Sequence, residues 1–263
     1  YVPMVVAAVL YTYRGRMLLG GVLTALTVAL ELYANHLQIT YYLVLVLILI
    51  GVVQFVKDLK ANNLTSFAKR SGVLVLAALL ASSTAITRLS TTMEYGTEST
   101  RGKSELTTDL DNKTSGLDKD YATSWSYGIA ETFTLLIPNF YGGASQGELT
   151  TDSETYQAIK RAPNAKQLIK QLPLYWGTQP FTSGPTYAGA IVMFLFIFGL
   201  LFVKSEMRVW ILLATIMSIM LAWGNNFMPL TDLFLDYFPG YNKFRAVSMI
   251  LVIAEFTLPL LGF

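Results

Sequence analysis

Apolar residues in this chain gather into seven long runs, without the alternating spacing of a half-buried strand. The runs cover residues 1–13, 17–33, 38–56, 72–89, 187–203, 209–223 and 246–263. Several approach the roughly 20 residues that cross a bilayer core as a helix, and the shorter ones would tilt or lean on neighbours. The pattern predicts an all-α polytopic membrane protein with about seven transmembrane helices. Four of them fall in 1–89 and three in 187–263, with a large loop subdomain over 90–186 between them. The outermost runs stop at the chain ends and Tyr1 is not an initiator Met, so the chain reads as an excerpt of a longer protein.

The polar positions orient these helices. Arg14 and Arg16 occupy the first connection, Lys57, Lys60, Lys69 and Arg70 the third, and Lys204 and Arg208 the fifth, opposed only by Asp58 and Glu206. By the positive-inside rule, loops 14–16, 57–71 and 204–208 are cytoplasmic. Loops 34–37, 90–186 and 224–245 are then extracytoplasmic.

Loop 90–186 is too long for a plain connection. Residues 124–137 are apolar enough to lie on the membrane surface as an interfacial helix, stopped by Pro138 and the turn at Asn139–Gly143. Short helices are expected over 153–161 and 164–171, and residues 175–185 carry the Gly and Pro punctuation of ordered turns.

Composition narrows the classes. With 53% hydrophobic and 14% charged residues, the chain departs from the roughly one-quarter charged content of soluble domains, and its mean hydropathy is +0.48. A net charge of +2, with the basic residues spread over separate loops, argues against nucleic acid as a partner. The absence of Cys removes disulfides and thiolate chemistry, and a single His argues against a zinc site.

Several strings carry a resemblance: Glu31-Leu-Tyr-Ala-Asn-His-Leu-Gln-Ile-Thr-Tyr-Tyr42, Ser99-Thr-Arg-Gly-Lys-Ser-Glu-Leu106, Ser115-Gly-Leu-Asp-Lys-Asp-Tyr121, Trp125-Ser-Tyr-Gly-Ile-Ala-Glu131, Tyr175-Trp-Gly-Thr-Gln-Pro180 and Tyr241-Asn-Lys-Phe-Arg-Ala246. In this order they resemble the bacterial YfhO family of polytopic membrane proteins over essentially the whole chain. The resemblance implies a GT-C-like glycosyltransferase in the bacterial cytoplasmic membrane. Such an enzyme moves a sugar from a polyprenyl-phosphate donor to a cell-envelope acceptor at the external face. Its partners would be membrane lipid, the lipid-linked sugar and that acceptor. The catalytic acid of these enzymes is expected in a first external loop, which would lie upstream of Tyr1.

Sugar transfer of this kind needs a carboxylate to take the proton of the acceptor hydroxyl and cations to receive the leaving phosphate. Glu31, Asp232 and Asp236 are the acidic candidates. Asp232 and Asp236 share a helical face and would position the acceptor or a divalent cation, or else pair with Lys243 and Arg245. Glu31, near the outer end of its run, is either functional or paired with Arg88. Lys243 and Arg245 precede the last run and would grip a lipid phosphate or serve as snorkelling anchors. Asn35 and His36 lie beside Glu31, with His36 contacting phosphate or merely capping. Arg101, with Lys103 and Glu105, would close over substrate or form a solvated charge run. Glu131 reads as the polar face of the interfacial helix. Glu255 lies about nine residues inside the last run and is expected protonated, paired or facing a water-filled cavity. It supports the rival reading, a transporter or lipid-translocating protein.

Overall fold

A computed structural model describes residues 1–103, 108–184 and 186–263. Glu105 therefore lies outside the described residues. The helices are α1 (Val2–Tyr13), α2 (Met17–Tyr33), α3 (Leu37–Lys60), α4 (Leu64–Ser83), α5 (Ile86–Thr97), α6 (Lys119–Ala122), α7 (Glu154–Ile159), α8 (Ala165–Leu168), α9 (Ala190–Phe202), α10 (Met207–Ala222), α11 (Met228–Tyr237) and α12 (Leu251–Gly262). Short 3₁₀ turns join them at Ala130–Leu135, Gly224–Phe227, Tyr241–Lys243 and Val247–Ile250. Among the described residues no β-strand occurs; Gly142 with Tyr175 and Gly147 with Leu172 form isolated antiparallel bridges.

The first four helices run back and forth because their connections are short and use left-handed residues. Asn35 (φ 59°) and Asn62 (φ 52°) close the turns after α2 and α3, a conformation in which Asn is among the few tolerated residues. Gly20 lets α2 come directly against α1, since a Cβ there would overlap Thr12. A second group forms where α12 packs on α9 and α10, joined by a buried hydroxyl pair, Thr215 with Thr257, at 2.7 Å. One core runs through both groups, including Val5, Val46, Ile50, Ile211, Ala214, Ile253 and Leu258.

α3 and α4 are each long and apolar enough to cross a membrane. α10 together with Gly224–Tyr237 passes the same test as a pair bent by 111°. The exposed Leu, Ile, Val and Phe residues of these and the shorter apolar helices suit a protein embedded in lipid.

Several boundaries differ from the expectations. α4 begins at Leu64, eight positions before its predicted run, so most of the 57–71 connection is helix and only Ala61–Asn63 turns. The run predicted to end at 89 is split at Thr84–Ala85, and α5 continues as an exposed polar helix. The interfacial helix expected over 124–137 shrinks to the 3₁₀ turn Ala130–Leu135. Its backbone donors are diverted to side chains, as where Glu131 Oε2 accepts from the Gly128 N–H at 3.0 Å. α7 and α8 are shorter than predicted, and Ser153 caps α7 by accepting from the Tyr156 N–H at 3.2 Å.

Alternate connections meet at the same end of the bundle. Lys57 pairs with Glu206 at 3.2 Å and the Tyr13 and Ser71 hydroxyls meet at 3.1 Å, so the three basic connections lie together. At the other end Arg88 donates to Tyr33 O at 3.2 Å and Gln38 Nε2 to Arg245 O at 2.7 Å.

Candidate functional site

The long loop is stitched onto the ends of α10 and α12 through their broken backbone. Tyr127 N–H donates to Ala222 O at 2.7 Å, Asn226 Nδ2 to Tyr127 O at 3.0 Å, and Ser248 N–H to Trp125 O at 3.2 Å. The Trp223 indole adds a donor to Thr132 Oγ1 at 2.9 Å. Gly224 makes the junction feasible: its φ is +49° and a Cβ would overlap the Ser126 hydroxyl and Val247. The space left open carries Ser126 Oγ, which accepts from Asn225 N–H at 2.8 Å.

Glu131 sits at this junction and is only 1% exposed. Tyr175 Oη donates to its carboxyl group at 2.9 and 3.0 Å, and Gln179 Nε2 donates to Oε1 at 3.3 Å. With the Gly128 N–H on the other oxygen, the carboxyl is held by partners from two stretches of loop. Beside it is a cavity of about 170 Å³, also lined by Tyr127, Thr182, Ser248, Met249 and Leu251. The Tyr127 and Thr134 hydroxyls are buried and, among the described residues, make no well-formed hydrogen bond. Burial pushes the Tyr127 phenol up, and the neighbouring charges of Glu131 and Glu255 push the same way. Burial and then the bond to Glu131 push Tyr175 up to about 12, so it stays a donor at neutral pH. A buried carboxyl, an amide, hydroxyls and an aromatic ring around a small cavity are groups suited to a polyhydroxylated ligand.

Sequence reasoning set Glu131 aside as the polar face of a helix. Its partners lie 44 and 48 positions downstream, in the Tyr175-Trp-Gly-Thr-Gln179 string, and no periodicity links them. The available signal was an acid inside an apolar run that lacks helical spacing for its other polar residues.

The other candidates divide into groups. Glu31 is 5% exposed and accepts from Thr40 Oγ1 at 3.4 Å; the Tyr1 nitrogen lies 3.8 Å away. It does not pair with Arg88, because Arg88 sits on α5 beyond the helix break. From there it caps α2, donating to Tyr33 O and lying over the Tyr33 ring at 5.6 Å. Asn35 forms the turn, and His36 Nδ1 accepts from the Ile39 N–H at 3.4 Å as the N-cap of α3.

Asp232 and Asp236 do not pair with Lys243 or Arg245. Lys119 lies between them at 2.7 and 3.6 Å, and the bond to Asp232 is the largest influence raising its ammonium pKa. Lys243 instead donates to Ser115 O at 2.6 Å and Arg101 O at 2.9 Å, while Arg101 Nε donates to Lys243 O at 2.9 Å. These bonds clamp the start of the loop to the strap before α12. Arg245 donates to Tyr121 Oη at 2.7 Å and stacks by the Tyr121 and Trp125 rings at 5.7 and 5.3 Å. Lys103 is exposed, and Glu255 is exposed on α12, where among the described residues it makes no hydrogen bond or ion pair.

Among the described residues no group of three or more His, Asp or Glu side chains converges as a metal site. The Asp232 and Asp236 carboxylates, already sharing an ammonium group, are a poor fit to a divalent cation. No protein-family model, curated protein or solved structure matches this chain.

Proposed function

We propose that this chain is the membrane-embedded part of a YfhO-like, GT-C-type protein that handles a polyprenyl-phosphate-linked sugar at the outer face of the bacterial cytoplasmic membrane. In this reading α1–α4, α9, α10 and α12 are seven spans, and the ends bearing Lys57 and Glu206 face the cytoplasm. The observation that carries it is the Glu131 cavity, a buried carboxyl with Tyr175 and Gln179 at the junction of loop and helices. Glu131, Gln179 and Ser248 bind hydroxyls of the sugar or acceptor, and the Tyr127 ring forms part of the wall. Arg245, stacked near the same strap, receives the phosphate with the guanidinium donors its Tyr121 bond leaves free.

The test is sugar transfer by the full-length protein in liposomes, followed as loss of radiolabel from a polyprenyl-phosphate sugar. Glu131→Gln keeps the side-chain shape and is expected to slow transfer at least tenfold. Arg245→Ala is expected to raise the donor concentration needed for half-maximal rate. Unchanged turnover and donor affinity in both variants would overturn the reading.

The transporter reading retains one specific observation, Glu255 on α12, which makes no hydrogen bond or ion pair among the described residues. Its charge acts on Tyr127, and Leu251, one helical turn away, lines the same cavity. Glu255 thus serves the Glu131 site in the enzyme reading, and Glu255→Gln would alter transfer without creating a requirement for an ion gradient.

A further inference from the structure

A second cavity, larger than the one beside Glu131, lies at the opposite end of the bundle. It measures about 450 Å³, within the range of roughly 300–1,000 Å³ common for small-molecule sites. α1, α3, the start of α4 and the start of α10 enclose it. Its charged lining consists of Arg14, Lys57 and Arg70 against Asp58 and Glu206.

The pairing within this set leaves one cation over. Lys57 meets Glu206 at 3.2 Å, and Arg70 meets Asp58 at 3.6 Å, where Gln54 Nε2 also donates to Asp58 at 2.8 Å. Among the described residues Arg14 has no carboxylate partner, and its guanidinium reaches the Met207 thioether at 3.9 Å, a weak acceptor. Trp210 lines the cavity and is 2% exposed, and among the described residues its buried indole N–H has no partner. The N-terminus of α10, with the positive end of its dipole, borders the space, and Ser205 and Met207 line it; the first N–H groups of the helix are already taken, Met207 N–H by Ser205 Oγ at 3.2 Å, Arg208 N–H by Ser205 O at 3.2 Å and Val209 N–H by Glu206 O at 3.0 Å.

We propose that this cavity binds an anionic phosphate group, with Arg14 as its main charge partner. The volume exceeds that of a bare phosphate and leaves room for the substituent of a phosphodiester. The cavity sits where the apolar stretches of α3 and α10 give way to charge, the level of a lipid headgroup, and a basic pocket between membrane helices fits an anionic phospholipid. The site is separate from the Glu131 cavity and does not rest on sugar transfer.

The experiment uses the delipidated full-length protein in neutral detergent. Thermal stability and tryptophan fluorescence are followed while adding phosphatidylglycerol, phosphatidylcholine or inorganic phosphate. A saturable response to phosphatidylglycerol, absent with phosphatidylcholine, is expected. Arg14→Gln is expected to weaken it at least tenfold. Arg14 is exposed and makes no structural ion pair, so its variant should fold. A matching saturable response to inorganic phosphate identifies free phosphate as the source, while its absence identifies the lipid. Equal responses to both lipids, no response, or full binding by Arg14→Gln each overturn the proposal.

Discussion

Replacing Glu131 with Ala tests the most consequential feature of the loop. The carboxyl is 1% exposed and accepts from Tyr175 Oη, the Gly128 N–H and Gln179 Nε2. Each buried donor left without an acceptor costs about 1–3 kcal/mol. Tyr175 and Gln179 are partly exposed and can turn to water in the adjoining cavity, which leaves Gly128 and the lost packing as the larger share. A net loss of about 2–4 kcal/mol follows. Glu131→Gln keeps one acceptor oxygen, and the amide of Gln179 can rotate to accept, so about 1 kcal/mol is expected. Unfolding in detergent, monitored by near-ultraviolet circular dichroism, would measure both variants. In a double-mutant cycle with Tyr175→Phe, a coupling of about 1–2 kcal/mol is expected. An Ala variant within about 0.5 kcal/mol of wild type, or independent effects in the cycle, would refute the argument that the carboxyl organises the loop.

Other features are open to the same treatment. Gly224→Ala must place a Cβ at φ +49° against the Ser126 hydroxyl and Val247, and should destabilise by about 2–4 kcal/mol, measured by thermal unfolding. Tyr175, raised to about 12, contributes order that is complete below the ordinary phenol value of about 10 and is lost as pH rises toward 12, because a phenolate would face the Glu131 carboxylate. The wild-type minus Tyr175→Phe difference in absorbance at the tyrosinate band should show that late ionisation; a midpoint near 10 would contradict it. In this cysteine-free chain, Lys60→Cys and Leu110→Cys are both exposed, and a membrane-impermeant maleimide added to intact cells should label only the second. The reverse pattern would invert the orientation.

The alternation of apolar runs and basic connections carried a great deal of the fold. It put the connections bearing Lys57 and Glu206 on one side, and these two side chains meet across 149 positions. Helix boundaries were harder to read. Hydropathy marks where a helix meets lipid or core, whereas its hydrogen-bond ladder continues through Ser66, Lys69 and Arg70, so α4 outruns its apolar segment. The pairing of Glu31 with Arg88 failed for a related reason: matching depth in two runs assumes that both are continuous, and the break at Thr84–Ala85 carries Arg88 away.

Glu131 was invisible for a different reason. Its chemistry depends on Tyr175 and Gln179, brought to it by irregular loop backbone whose course no residue period encodes. The same loop chemistry redirected Lys119 to Asp232 and Asp236 and left Lys243 to clamp Ser115 and Arg101. Charges near one another in sequence thus separated, and distant ones met. For the proposed site this matters mechanistically. Lys243 holds the loop down through two backbone carbonyls, so its replacement by Ala should act by loosening the loop. Arg245 retains unbonded guanidinium donors beside two aromatic rings. If both residues bound phosphate, Ala variants would shift donor affinity alike. On the proposed reading, Lys243→Ala is expected to increase protease nicking near Ser115 and Arg245→Ala to change donor affinity with the loop intact.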